Sequence, residues 1–289
     1  MSYQIFTDAT SDLNDEILVG LPFLEIIPMQ IMIRDVVYTY GPNGNLNVKQ
    51  FYEMQREGSF ASTSQISPET YRLYFEPYLK AGQDVLYLGF SSGMSGTMNS
   101  AFICKQELEE EYPERKIICV DTLCGSVGEG FLVVEALKQQ ADGMDIEELA
   151  LWVGVNCLDV CHWFTVDTFE HLKHGGRVSN AAAIAGSVLN IKPLLHIDDE
   201  GKLKVVGKPR GHKAALKSTL SKMEDGWNPE MGNMVLIGHG DCPERAKECK
   251  DKILEQHPNA DVHIADIGPV IGAHTGPGML AVIYWGNNR

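Results

Sequence analysis

The chain has 289 residues, 44% of them hydrophobic, and a formal net charge of −15. That length suits two compact lobes, and the apolar fraction is enough for a core with an interior cavity. The charge argues against nucleic acid and against an anionic membrane surface, since both are held by clustered Lys and Arg.

Residues Met1-Ser2-Tyr3-Gln4 carry no basic n-region. The longest apolar stretch, Leu24 to Ile33, is interrupted by Glu25, Pro28 and Gln30 and is too short to span a bilayer, so stable membrane insertion is not expected. Seven cysteines, an odd number without framework spacing, point to reduced thiols and a cytoplasmic location. Cys157, Cys161 and His162 raise the question of a metal, but the usual Cys-x-x-Cys pairs are missing and none is expected.

Short apolar strands alternate with amphipathic helices, the pattern of an α/β protein. Gln4–Thr7 reads as the first strand, after which Asp8-Ala9-Thr10-Ser11-Asp12 opens a helix. Leu24–Ile33 and Val36–Tyr40 suit a hairpin turning at Arg34-Asp35. Asn47 caps a helix ending at Gly58, and Ser67-Pro68 starts another with Pro at the first helical position. Strand Asp84–Gly89, helix Thr97–Tyr112, strand Lys116–Asp121 and a helix through Ser126–Gln140 follow. Asp145-Ile146-Glu147-Glu148 is a capping box whose helix runs towards Asp159.

The texture then changes. His162–Thr165 reads as a strand, and Leu194–Ile197 pairs with Lys202–Val206 across Asp198-Asp199-Glu200-Gly201. Helix Lys213–Asp225, strand Met234–Gly238, helix Pro243–His257, strand Val262–Asp266 and strand Met279–Trp285 complete the chain. The expected architecture has a mostly parallel sheet in an N-terminal lobe, residues 1–160, and a second α/β lobe, residues 161–289, with a firm interface.

Three loops carry hydroxyls or glycines next to element ends. Ala61-Ser62-Thr63-Ser64-Gln65-Ile66-Ser67 lies between two helices and reads either as a capping loop or as a polar pocket wall. Ser91-Ser92-Gly93-Met94-Ser95-Gly96-Thr97 follows a buried strand and precedes a helix, where α/β proteins bind ligands and where free N–H groups favour anions. It starts like a Gly-x-Ser-x-Gly nucleophile elbow, but Thr97 stands where the second glycine is needed. Neither a Walker-type loop nor Gly-x-Gly-x-x-Gly is present in it. In Gly268 to Gly278, four glycines and two prolines are expected to give an irregular backbone around His274, whose pKa a neighbouring carboxylate would raise. The residues alone therefore define a hydroxyl-lined anion pocket with one histidine.

Asp8-Ala9-Thr10-Ser11-Asp12-Leu13, Thr63-Ser64-Gln65-Ile66-Ser67, Ser91 to Thr97, Gly175-Gly176-Arg177 and Gly268 to Gly278 together resemble the DegV family, in order and over nearly the whole chain. Its best-understood members are the FakB subunits of bacterial fatty acid kinase. The resemblance implies a long-chain fatty acid buried between the lobes, its carboxylate on Thr63, Ser95 and His274. Ser64, Ser92, Gly96, Thr97 and Thr275 would support that headgroup, and Met29 and Phe90 are wall residues or ordinary core.

The resemblance further implies a separate ATP-dependent kinase subunit that phosphorylates the bound carboxylate for phospholipid metabolism. This chain would then be carrier and co-substrate rather than catalyst, with Arg177 and Arg210 at the docking face, His174 incidental, and no cofactor beyond the lipid. Ile66 departs from the family's Thr-Ser-Gln-Pro-Ser. Burying an acyl chain contributes roughly 0.8 kcal/mol per CH₂, so the head would orient the ligand more than drive affinity. The rival readings are a serine hydrolase using Ser95 and His274, with Asp266 as the nearest acid in the chain, and a small-anion-binding regulator.

Overall fold

The computed structural model describes residues 2–178, 190–287 and 289. The first half runs β1 (Tyr3–Asp8), α1 (Asp15–Leu18), β2 (Leu24–Ile27), β3 (Met29–Ile33), β4 (Val36–Tyr40), α2 (Val48–Arg56) and β5 (Ala61–Thr63). It continues through α3 (Pro68–Lys80), β6 (Asp84–Gly89), α4 (Thr97–Glu111), β7 (Ile117–Asp121), α5 (Val127–Ala141) and α6 (Ile146–Asn156). The second half begins with β8 (Val160–Thr165), α7 (Glu170–Gly175), β9 (Leu194–Ile197), β10 (Leu203–Gly207) and α8 (Gly211–Gly226). It ends with β11 (Met234–His239), α9 (Pro243–Gln256), β12 (Asp261–Asp266), α10 (Pro269–Thr275) and β13 (Leu280–Trp285).

The fold is α/β. A fully parallel sheet has the order β2-β1-β6-β7, and a mixed sheet has the order β10-β9-β8-β13-β11-β12. Every residue of β6, β8, β11 and β13 is buried, which suits strands covered on both faces. Helix α5 lies between the two sheets. Ten of its fifteen residues are buried, and Val127, Phe131 and Val134 belong to one apolar cluster with Ile5 and Leu86 of the parallel sheet and Phe164 and Ile283 of the mixed one. A helix apolar all round needs such a position.

Four expectations differ from the structure. The run Leu24–Ile33 is split at Pro28, which has no N–H for a ladder. Its first part joins the parallel sheet, and its second forms the small antiparallel sheet β4-β3-β5. The hairpin does turn at Arg34-Asp35, with φ of +54° and +59° as a two-residue primed turn requires. Asp8–Asp12 does not open a helix; it is a buried connection, and the short α1 starts after an Asn14 cap. Ala61–Thr63 is an edge strand rather than loop, paired with Ile31–Ile33. Pro269–Thr275 is a helix, not an irregular segment, with Pro269 in the first turn where its missing N–H costs nothing.

Candidate functional site

Three elements bring the hydroxyl-rich segments to one place. Thr63 ends β5, Ser95 lies in the turn between β6 and α4, and His274 occupies the last turn of α10. All three line one cavity between the sheets, with about 890 Å³ of empty space, part of it open to solvent. The walls are mainly apolar, with Met29, Phe90, Phe164, Ala281 and Ile283 among them.

Thr63 Oγ1 is 3.0 Å from His274 Nε2. His274 Nδ1 is buried and has no hydrogen-bond partner, and the backbone of Gly175 passes so close that a Cβ there would lie 2.3 Å from it. Burial, reinforced by Arg177, His174 and His171, lowers the His274 pKa to about 4. The helix C-terminus favours a charged histidine, but α10 is only seven residues long and desolvation prevails. In the protein as it stands, His274 is neutral at physiological pH, and no carboxylate beside it raises its pKa.

Ser95 Oγ accepts from Thr97 N–H at 3.2 Å and shares a 2.9 Å hydrogen bond with Thr97 Oγ1. Ser64, Thr97 and Thr275 also line the cavity, although the Thr275 hydroxyl donates to Ile271 O at 3.1 Å. Gly96 does not reach the lining. It backs the Gln65 amide, where a Cβ would come within 2.6 Å. Ser92 is exposed and donates its N–H to Asp121 Oδ1 at 3.1 Å. Ile66 is buried in a core cluster, and Ser67 still caps α3 through Thr70 N–H, so packing holds this loop without proline.

Arg177 lines the cavity while remaining exposed, and its guanidinium donates to Gly175 O. It is the one Arg or Lys among the described lining residues. Arg210 lies elsewhere, exposed at the N-cap of α8 and bridged to Ile191. His174 stacks on Phe60 with ring centroids 4.6 Å apart, a contact that no sequence signal announces.

Thr10, Ser126 and His162 also line the cavity and were not singled out from the sequence as ligand contacts. Thr10 connects to a buried acidic network. Its hydroxyl is 2.8 Å from Glu129 Oε2 and 2.5 Å from Asp8 Oδ1, while Asp8 Oδ2 accepts from Tyr87 at 2.6 Å. Ser126 donates to Asp12 Oδ2 at 2.6 Å, and Asp12 Oδ1 accepts the N–H of Gly268, the residue that caps α10.

His162 Nδ1 is 2.8 Å from Val160 O, which fixes that nitrogen as the donor. Cys161 and His162 are adjacent on β8 and fall on opposite faces of the sheet, and no cluster of metal-binding side chains occurs among the described residues. The hydrolase arrangement lacks its acid: Asp266 pairs with His239 at 3.5 Å, and His274 Nδ1 has no partner.

The fold and site define an α/β protein of three sheets with a mainly apolar cavity lined in part by hydroxyls and a histidine. The family model described as "Uncharacterised protein, DegV family" matches residues 2–287, and the chain belongs to the DegV family. A DegV domain-containing protein of Clostridium perfringens is 39% identical over 287 residues, 99% of this chain and 98% of that relative. A fatty-acid-binding DegV family protein from Thermus thermophilus is 27% identical with a TM-score of 0.86, covering 99% of this chain and 100% of that one. The Streptococcus pneumoniae Fatty Acid Kinase (Fak) B3 protein, loaded with linoleic acid, has the same fold: TM-score 0.87, 20% identity, 99% of this chain and 100% of that one.

Proposed function

We propose that this chain binds one long-chain fatty acid, with the acyl chain in the cavity between lobes 1–160 and 161–289 and the carboxylate at Thr63, Ser95 and His274. One observation carries the reading: a mainly apolar cavity has hydroxyls and a neutral imidazole gathered where Thr63 meets His274. Arg177 adds a positive charge near that end, so a carboxylate gains both hydrogen bonds and a counter-charge. Its likeness to the Thermus thermophilus fatty-acid-binding protein supports the choice of ligand.

The finer part of the proposal is that the bound carboxylate is presented to a separate ATP-dependent kinase in the cytoplasm, for conversion to an acyl phosphate that enters phospholipid metabolism. This chain is then carrier and co-substrate. Arg177, exposed at the cavity, would serve partner contact as well as the headgroup, and Arg210 would act only through docking. The resemblance in motifs supports this role.

The test is solvent extraction of the gently purified protein followed by mass spectrometry. About one fatty acid per chain is expected, and an empty protein that also takes up no added fatty acid would overturn the reading.

A further inference from the structure

Outside the cavity, one group of cations is poorly matched by anions. Arg245 Nη1 lies 3.2 Å from Asp167 Oδ1, Lys192 Nζ lies 3.5 Å from it, and His212 Nδ1 lies 3.6 Å from it. Three basic side chains from three parts of the chain thus converge on one carboxylate oxygen. Every contact is longer than the roughly 2.7–2.9 Å of a well-made charge-assisted hydrogen bond. The Lys192 side chain is only 11% exposed, a costly place for an ammonium that shares its single counter-ion with an arginine. Residues 179–189, which precede this segment in the chain, carry no charged side chain to offset the excess.

The helices add to the imbalance. Arg245 sits in the first turn of α9, next to Glu244, and His212 in the first turn of α8, whose first turn has no acidic residue; neither helix has a side-chain cap at its N-terminus. Cations are unfavourable at that end of a helix, where anions are stabilised. Burial first, then Arg245 and Lys192, hold His212 below its ordinary pKa, while Asp167 acts in the opposite direction. Arg245 Nη1 also donates to Gly278 O at 2.8 Å, and the Asp167 carboxylate packs against Gly278. That turn lies between Thr275 and Met279, both of which line the cavity.

We propose that Lys192, Arg245 and His212, gathered on Asp167 beside the Gly276–Gly278 turn, form a phosphoryl-binding site next to the His274 end of the cavity. A tetrahedral phosphate offers several oxygens to donors that now share one. The arginine presents a planar fork, the lysine a point charge, and the two helix N-termini add their dipoles. The phosphoryl group has two possible sources, the head of a long-chain acyl phosphate or the terminal phosphate of a nucleotide. Binding of phosphate itself does not depend on the fatty-acid reading; only its use in phosphoryl transfer rests on that reading.

The experiment is equilibrium dialysis of the full chain with labelled inorganic phosphate at constant ionic strength. It compares the wild type with Lys192→Met, with the exposed-site variant His212→Asn, and with Lys204→Met as a distant control. One saturable phosphate per chain is expected, weakened about tenfold or more by Lys192→Met, as loss of one charged hydrogen bond implies, and weakened by His212→Asn. Lys204→Met should bind as wild type. Displacement by ATP assigns the nucleotide source, and displacement by a long-chain alkyl phosphonate assigns the acyl phosphate source.

Absence of saturable binding in the wild type, or equal binding in wild type, Lys192→Met and His212→Asn, overturns the site and leaves a structural ion network. Fatty acid content measured on the same samples separates the two readings. Lipid without phosphate binding sinks only this site, and phosphate binding without lipid sinks only the fatty-acid proposal.

Discussion

Thr63 and His274 are 211 positions apart in the chain, yet their side chains meet at 3.0 Å, Oγ1 to Nε2, at the cavity. Their contact joins the edge strand of the small antiparallel sheet to the last turn of α10. Removing either partner should cost ligand rather than fold, because neither residue is central to a core cluster. Thr63→Val and His274→Ala should each weaken displacement of a fluorescent fatty acid by about tenfold, the size of one charge-assisted hydrogen bond. Unchanged affinity in both would remove these residues from the headgroup.

Gly175 should be intolerant of a methyl group for a related reason. A Cβ there would lie 2.3 Å from His274 Nδ1, so the ring must move and its bond to Thr63 must break. Gly175→Ala is expected to lower fatty acid retention at least as much as Thr63→Val while the far-ultraviolet circular dichroism stays the same. Full retention would mean that the imidazole position is unimportant.

Within the acidic network, the Thr10 hydroxyl has one proton and two carboxyl neighbours, Asp8 and Glu129. One of those groups must therefore carry a proton of its own, and burial pushes Glu129 well above its ordinary pKa. Glu129→Gln mimics the protonated acid and should change stability by less than about 1 kcal/mol. Glu129→Ala leaves Thr7 and Thr10 without their buried partner and should cost about 2–3 kcal/mol or more. Equal losses in urea unfolding would show that the charge, not the hydrogen bonds, matters.

Asp12 predicts a pH dependence. Burial raises its pKa from 3.8 to about 8, against the opposing hydrogen bonds from Ser126 and Gly268. Since the folded value lies above the unfolded one, its contribution to stability is complete below pH 3.8 and is lost as pH rises through about 8. Asp12→Asn, which never titrates, should therefore flatten the fall in stability between pH 5.5 and 7.5 by about 1 kcal/mol per pH unit. Parallel curves for the two proteins would show that Asp12 is ionised in the fold.

Much of this architecture was legible because its signals are local. The cap residues Asn47, Ser67 and Asp145 each bond the N–H groups that their positions predict. The buried strand Asp84–Gly89 has its expected ends. What sequence reading missed depended on distant neighbours. Ala61–Thr63 is a strand only because Ile31–Ile33 lies beside it, and Pro269–Thr275 is a helix despite its glycines because α2, α7, β3 and β5 pack around it. The glycine-rich segment suggested freedom where the fold imposes a seven-residue helix. Thr63, Ser95 and His274 were individually conspicuous, but spacing could not show that they share a cavity. Nothing local marked Lys192, Arg245 and His212, whose common carboxylate, Asp167, comes from the connection between β8 and α7.

Helix α5, enclosed by both sheets, also governs how the molecule comes apart. Phe131 and Val134 pack in the same cluster as Leu86 on one side and Ile283 on the other, so neither half can loosen without uncovering that helix to water. Heat should thus melt the chain in a single calorimetric transition, with calorimetric and van't Hoff enthalpies equal, although its strands are divided between separate sheets.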